Sequence, residues 1–208
     1  EETGCYEVKA QGDSLMIAAP NASIAVAWCL EAQRRLLAAD WPRILLEQSS
    51  SAAEQSADGE PLFGGLRVRM GVHIGTPKAR QDATTGRMAY FGAVVNRASR
   101  IAQAGHGGQI LISDDVWLDL DRGDAGEVRD LGVHRLRGLR RAEHLRQVLP
   151  VDLKERRFPP IVTLGQRFAA LPVSQENFYG RTRDLEAIAA RFGEGLSLVT
   201  LAGPGGIG

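Results

Sequence analysis

The chain has 208 residues, more than one average domain needs and less than two full ones usually occupy. With 44% hydrophobic and 24% charged residues, 6% aromatics and a mean hydropathy of −0.16, disordered and fibrous classes are excluded. Its 25 basic residues cancel 25 acidic ones, so no overall field draws it to nucleic acid or anionic lipid, and no apolar run approaches the roughly 18 residues of a membrane span.

Two cysteines, Cys5 and Cys29, are too few for a disulfide scaffold and suit a reducing compartment, here the cytoplasm. The chain opens at Glu1 without an initiator methionine and closes at Gly208 inside a glycine-rich loop. The expectation is an excerpt of a longer polypeptide, cut at both ends.

In chain order, Tyr6, Val8 and Ala10 alternate with polar neighbours, Gly12 and Asp13 supply a turn, and Ser14 to Ala19 returns as an apolar strand. Pro20-Asn21 punctuates the chain and a helix is predicted to follow to about Ala39, with Ala25, Trp28, Cys29, Ala32 and Leu36 as its apolar stripe. Ser49 to Gly59, mostly Ser, Ala and acids, reads as a flexible surface loop. A strand over Leu66 to Gly75 is expected to place Leu66, Val68, Met70, Val72 and Ile74 on one face, with Arg67, Arg69 and His73 on the other.

A polar loop then leads to Phe91-Gly92 and a helix ending near Ala104, followed by a strand over Gln109 to Ser113 and a short helix capped by Ser113. Two strands follow, near Glu127 to Arg137 and His144 to Leu149. Hairpin-joined strands mixed with helices indicate α+β rather than a doubly wound sheet. From Pro150 the composition shifts, and residues 150–179, with Pro159, Pro160 and Pro172, read as a linker. A helix (about Arg181 to Phe192) and an apolar strand (Leu196 to Ala202) begin a further unit.

Asp13 is a carboxylate at a hairpin tip, exposed and rigidly aimed, which suits a divalent cation on a nucleotide phosphate; ordinary turn chemistry would also place it there. Asn96 and Arg100 stand at i and i+4 on one helix face, an amide and a guanidinium suited to a ribose and a phosphoryl group, or simply a solvated face. His73 and His134 have no second ligand at metal spacing and read as structural. The cysteines have no neighbouring base and are not candidate nucleophiles.

Three segments, Glu7 to Met16, Met70 to Gly75 and Tyr90 to Arg100, carry a stronger signal together than apart. With Gly107 to Ser113 and Leu131 to Leu139, and in this order, they resemble the class III nucleotidyl cyclase catalytic domain, the family of adenylyl and guanylyl cyclases. The resemblance covers roughly residues 1–149. It implies a ferredoxin-like α+β domain whose first strand and helix precede Glu1, acting as a homodimer on ATP with two Mg2+ or Mn2+ ions per site.

It further implies that Asp13 is the second metal aspartate and that Asn96 and Arg100 orient the ribose and stabilise the transition state. Lys9 matches the purine-reading position, where lysine accompanies adenine. Its partner position is Ala89, where adenylyl cyclases usually carry Asp or Thr, and this departure puts base selectivity in question. One of the arginines near Arg135, Arg137, Arg140 and Arg141 would hold the triphosphate.

Gly203 and Gly208, with Gly205 and Gly206 between them, follow an apolar strand and fit the glycine positions of a phosphate-binding loop. Residues 180–208 thus resemble the start of an α/β P-loop ATPase of the STAND type, led in by Gly180-Arg181. The expected whole is a bacterial adenylate cyclase fused to such an ATPase, with nucleic acid a partner only through an unseen output domain. The alternative is a catalytically degenerate cyclase-like module that binds nucleotide or dimerises to regulate the ATPase or a transcriptional output. Without the first metal aspartate, the excerpt itself is expected to be inactive.

Overall fold

The computed structural model describes residues 4–163, except 82, 84, 85, 122, 124 and 125, together with residues 182–193. The chain divides into two units, 1–170 and 171–208. In the second, the described element is a helix over Thr182–Gly193, close to its predicted position. Gly203, Gly205, Gly206, Gly208 and the strand expected at Leu196 to Ala202 lie outside the described residues.

The first unit opens with a hairpin of β1 (Tyr6–Gln11) and β2 (Ser14–Ala18), then α1 (Ala22–Ala38), capped by the Asn21 side chain accepting from Ile24 N at 2.9 Å. A one-turn α2 (Arg43–Leu46) precedes a small hairpin of β3 (Glu54–Gln55) and β4 (Pro61–Phe63). Next come β5 (Met70–Val72), the hairpin β6 (Lys78–Gln81) and β7 (Met88–Phe91), and α3 (Ala93–Ala104). The unit continues with β8 (Ile110–Ser113), α4 (Asp114–Asp119), β9 (Glu127–His134) and β10 (Glu143–Leu149).

The main sheet has the order β5-β8-β10-β9, with β5 parallel to β8 and the other pairs antiparallel. Strand alternation sorts its core into two layers. Ile110 and Ile112, fully buried, pack with Val26, Cys29 and Leu30 of α1 and Val116 of α4. Leu111, between them, packs on the other face with Ile101 and Ala104 of α3, Leu136, Leu145 and Ile161. Each such side chain contributes about 1.5–3 kcal/mol by leaving water. The fold is that of mixed α/β elements, as expected.

Several expectations are corrected. The buried residues of α1 are Ala22, Val26, Cys29, Leu30 and Gln33, while Trp28, Ala32 and Leu36 border the core. The strand expected over Leu66 to Gly75 is only β5, because its pairing with β8 covers Met70 to Val72. Leu66 and Val68 are exposed, and the side chain of His73, expected on the polar face, is only 4% exposed. The polar loop before Phe91 is the β6–β7 hairpin.

The segment expected as a flexible loop is anchored. Ser51 is buried, and Arg67 donates to Ala52 O at 2.7 Å and pairs with Glu54 at 2.8 Å. Residues 151–163, the described part of the segment read as a linker, likewise pack on the unit. Arg156, 3% exposed, donates through Nε to Leu62 O (2.7 Å) and through a terminal nitrogen to Gln33 Oε1 (2.9 Å), with its guanidinium 4.5 Å over the Phe63 ring. Burial pushes that guanidinium down to about 10, still charged at neutral pH.

Candidate active site

Asp13 occupies the two-residue turn between β1 and β2, where Gly12 takes the left-handed first position at φ +61°. The carboxylate is exposed and accepts from Ser14 Oγ at 3.3 Å. Lys9, also exposed, lies on β1 opposite Met16. Ala89 lies half-buried on β7 opposite Arg80. The β6–β7 hairpin is fastened to β1, since Met88 N donates to Tyr6 Oη at 3.1 Å and Arg87 donates to Glu7 O at 2.8 Å. Lys9 and Ala89 therefore stand on tethered strands.

On α3, Asn96 is exposed and Arg100 half-buried, one turn apart. Arg100 donates to Gln103 Oε1 at 3.0 Å, while its buried Nε has no acceptor. Gly138 closes over this guanidinium; a Cβ there would sit 3.3 Å from Nε. Arg100, Arg69, Gln103 and Arg137 line a cavity of about 300 Å3 with Ala104, Leu136, Val162 and Thr163. Three guanidinium groups and no carboxylate line it, a composition suited to an anion. Arg135, Arg140 and Arg141 are exposed and do not line it.

Sequence reasoning missed Arg69, Arg97 and the residues 162–163. Arg97, between Asn96 and Arg100, points toward the sheet. Its Nε lies 3.2 Å from Glu143 Oε1, and a terminal nitrogen lies 3.9 Å from Asp115 Oδ2 and 3.5 Å from His73 Nε2. His73 Nδ1 is 2.8 Å from Ser113 Oγ, the cap of α4. Burial first, then the Arg97 charge, holds the His73 imidazole below its ordinary value, and burial raises the Glu143 carboxyl above its own. His134 Nε2 donates to Leu131 O at 2.6 Å.

Among the described residues no hydrogen bond or ion pair joins Asp13 to Lys9, Asn96 or Arg100, and no group of three His, Cys, Asp or Glu side chains could hold a metal ion. The donor set at the hairpin tip is one hard carboxylate. That fits a divalent cation shared with phosphate oxygens, the usual way Mg2+ is held on a nucleotide, and does not fit a closed protein cage. A larger hollow of about 630 Å3, bordered by Phe63, Arg67 and Phe158, contains none of the sequence-predicted residues.

A family model for the adenylate and guanylate cyclase catalytic domain matches residues 1–147. The chain belongs to this family. An adenylate cyclase of Mycosarcoma maydis is 47% identical over 117 residues, covering 56% of the chain and 5% of that protein. A receptor-type adenylate cyclase of Trypanosoma brucei brucei, GRESAG 4.3, is 33% identical over 193 residues, 84% of the chain and 15% of that protein. A solved structure of a Trypanosoma brucei adenylate cyclase in its monomeric state superimposes with a TM-score of 0.67 at 30% identity, covering 77% of the chain and 75% of its own. The cyclase domain thus spans a small fraction of the length of these two curated relatives. Among the described residues no helix is long and apolar enough to cross a membrane.

Proposed function

We propose that this cyclase domain converts ATP to 3′,5′-cyclic AMP and diphosphate as part of a larger signalling protein. The observation that carries the reading is the face of α3, where Asn96 stands one turn from Arg100, itself a lining residue of a cavity walled by cations. The ribose 3′-oxygen forms a bond to the α-phosphorus, the bond from that phosphorus to the bridging oxygen breaks, diphosphate leaves, and the 3′-hydroxyl proton passes to solvent. Asn96 orients the ribose. Arg100 sits where charge develops on the phosphoryl oxygens, and a fixed guanidinium contributes most there. Arg137, sharing its cavity, holds the departing diphosphate.

Lys9 donates to the purine. Asp13 holds Mg2+ or Mn2+, two per site with an aspartate from upstream, and the ions neutralise phosphate charge. The reading places the complete site between two copies of the domain, Asp13 from one facing Lys9, Asn96 and Arg100 of the other. It also places a STAND-type P-loop ATPase after the domain in a cytoplasmic, bacterial-type regulator, supported by the spacing of Gly203 and Gly208.

The test supplies ATP and manganese to the full-length protein and measures cyclic AMP. Asp13→Ala abolishes the product, and Asn96→Ala or Arg100→Ala lowers it by about 100- to 1,000-fold. Full activity in Asp13→Ala would overturn the metal assignment. Ala89 favours a second reading, a module that binds nucleotide without turning it over, because its methyl group cannot accept from an adenine amino group. Nucleotide binding by a dimer that forms no cyclic product selects that reading.

A further inference from the structure

We infer that the segment following the last strand is a wall of the cation-lined cavity, and that Thr163 sets how tightly the cavity holds a polyphosphate. The inference rests on the proposed role of Arg100 and Arg137 toward the substrate's phosphates and extends it to residues outside the family's motifs.

Three contacts fix this segment. Ile161, 4% exposed, is buried in the apolar cluster that holds Ile101 and Ala104 of α3 and Leu136, next to Arg137. Val162 N donates to Ala104 O at 2.8 Å, using a carbonyl that the end of α3 leaves without a helical partner. His106 Nε2 donates to Pro160 O at 3.0 Å. Ile161 thereby joins α3, which carries Arg100, to the loop that carries Arg137. Immediately after this buckle, Val162 and Thr163 line the cavity beside Arg69, Arg100 and Arg137.

Electrostatics gives position 163 its leverage. Three guanidinium groups border one cavity of about 300 Å3 with no acid among its lining residues, and the buried Arg100 Nε lacks an acceptor. An anion supplies what that arrangement lacks, a hydrogen-bond acceptor and countercharge. A side chain at 163 lies within a Debye length of that anion, so a charge placed there acts on it directly, with opposite effects for opposite signs.

The test titrates diphosphate into the 208-residue chain by calorimetry at low and at physiological salt, with Thr163→Glu and Thr163→Lys. Leu118→Glu and Leu118→Lys repeat the same charge changes on α4 at a residue that is 74% exposed and does not line the cavity. The expected result is about 5- to 20-fold weaker binding in Thr163→Glu and comparably tighter binding in Thr163→Lys, both shrinking as salt rises, with unchanged thermal midpoints. The Leu118 pair shifts binding less than twofold. Thr163 variants that match wild type or the Leu118 pair, or a wild-type chain that binds no diphosphate at millimolar concentration, overturn the inference. Binding with the expected signs in a full-length protein that makes no cyclic nucleotide would sink the cyclase reading and leave this one standing.

Discussion

Arg97 on α3 meets Glu143 at the start of β10 with 3.2 Å between Nε and Oε1, although the two residues are 46 positions apart in the chain (143 minus 97). The guanidinium side chain is 36% exposed and the carboxylate side chain 11%, so the pair lies between the surface and the core. Arg97→Met leaves a mostly buried carboxylate without its cation. The expected loss is about 1–3 kcal/mol, between the values for exposed and buried pairs. Glu143→Gln, which buries no charge, loses less. Urea unfolding of both variants checks the order.

His73 makes stability depend on pH. Its folded value lies below the ordinary 6.5 because of burial and the Arg97 charge, with Asp115 of α4 acting in the opposite direction. A lowered base favours the neutral form in the folded state, so its stabilisation is complete above 6.5 and is lost as pH falls through the folded value. The raised Glu143 carboxyl has the opposite sign, and its cost is present near neutrality and relieved in acid. Unfolding free energies from pH 7.5 to 5 should fall in the wild type and flatten in His73→Gln, which can still hydrogen-bond Ser113.

Gly71 lets α3 lie against β5. A Cβ at this position would sit 2.3 Å from Ala102 N and 2.8 Å from Ala102 Cβ, both too close to be relieved by a side-chain rotation. Gly71→Ala should cost about 1–3 kcal/mol or more and shift the face that carries Asn96 and Arg100. Gly193→Ala, with nothing within 4 Å, should change stability by less than about 0.5 kcal/mol. Denaturant midpoints of the two variants separate these outcomes.

Cys29 is buried in the α1 layer, and burial pushes its thiol up to about 12. Thiolate is the reactive form, so iodoacetamide at pH 8 should leave Cys29 unmodified in the native chain and alkylate it in urea. Peptide mass mapping reads both states. Rapid native alkylation would contradict the packing described for α1.

Ala89→Asp restores a hydrogen-bond acceptor on the strand tethered to Lys9. If the pair reads the purine, the ratio of kcat/KM for ATP over GTP in the full-length protein should rise by about 10- to 100-fold, the value of one buried hydrogen bond. An unchanged ratio would remove position 89 from base recognition.

Local chemistry made part of this structure readable in the sequence. Ser113 caps α4 by accepting from Val116 N, as read from the sequence, and the Gly12-Asp13 turn closes the first hairpin. The i, i+4 spacing of Asn96 and Arg100 placed them on one face of α3 because helical geometry is fixed by period alone. Arg97, next to Asn96, gave no signal of its own, because its partners His73, just after β5, Asp115 on α4 and Glu143 on β10 are brought to it only by the fold. Arg69 and Thr163 were equally illegible, since their shared cavity joins residues 94 positions apart (163 minus 69). Strands β3 and β4, of 2 and 3 residues, are too short to show a period.

Arg156 has one more consequence. It stands in a Lys-Glu-Arg-Arg run that looks like solvated chain, yet it satisfies Leu62 O, approaches Gly108 O at 3.4 Å and covers Phe63. A recombinant domain ended at Leu149, where the strands stop, would uncover Phe63, Ile101 and Leu136 by removing Arg156 and Ile161. Such a product would carry a sticky apolar seam and collect in inclusion bodies. The useful cut for expressing the cyclase domain alone lies beyond Thr163.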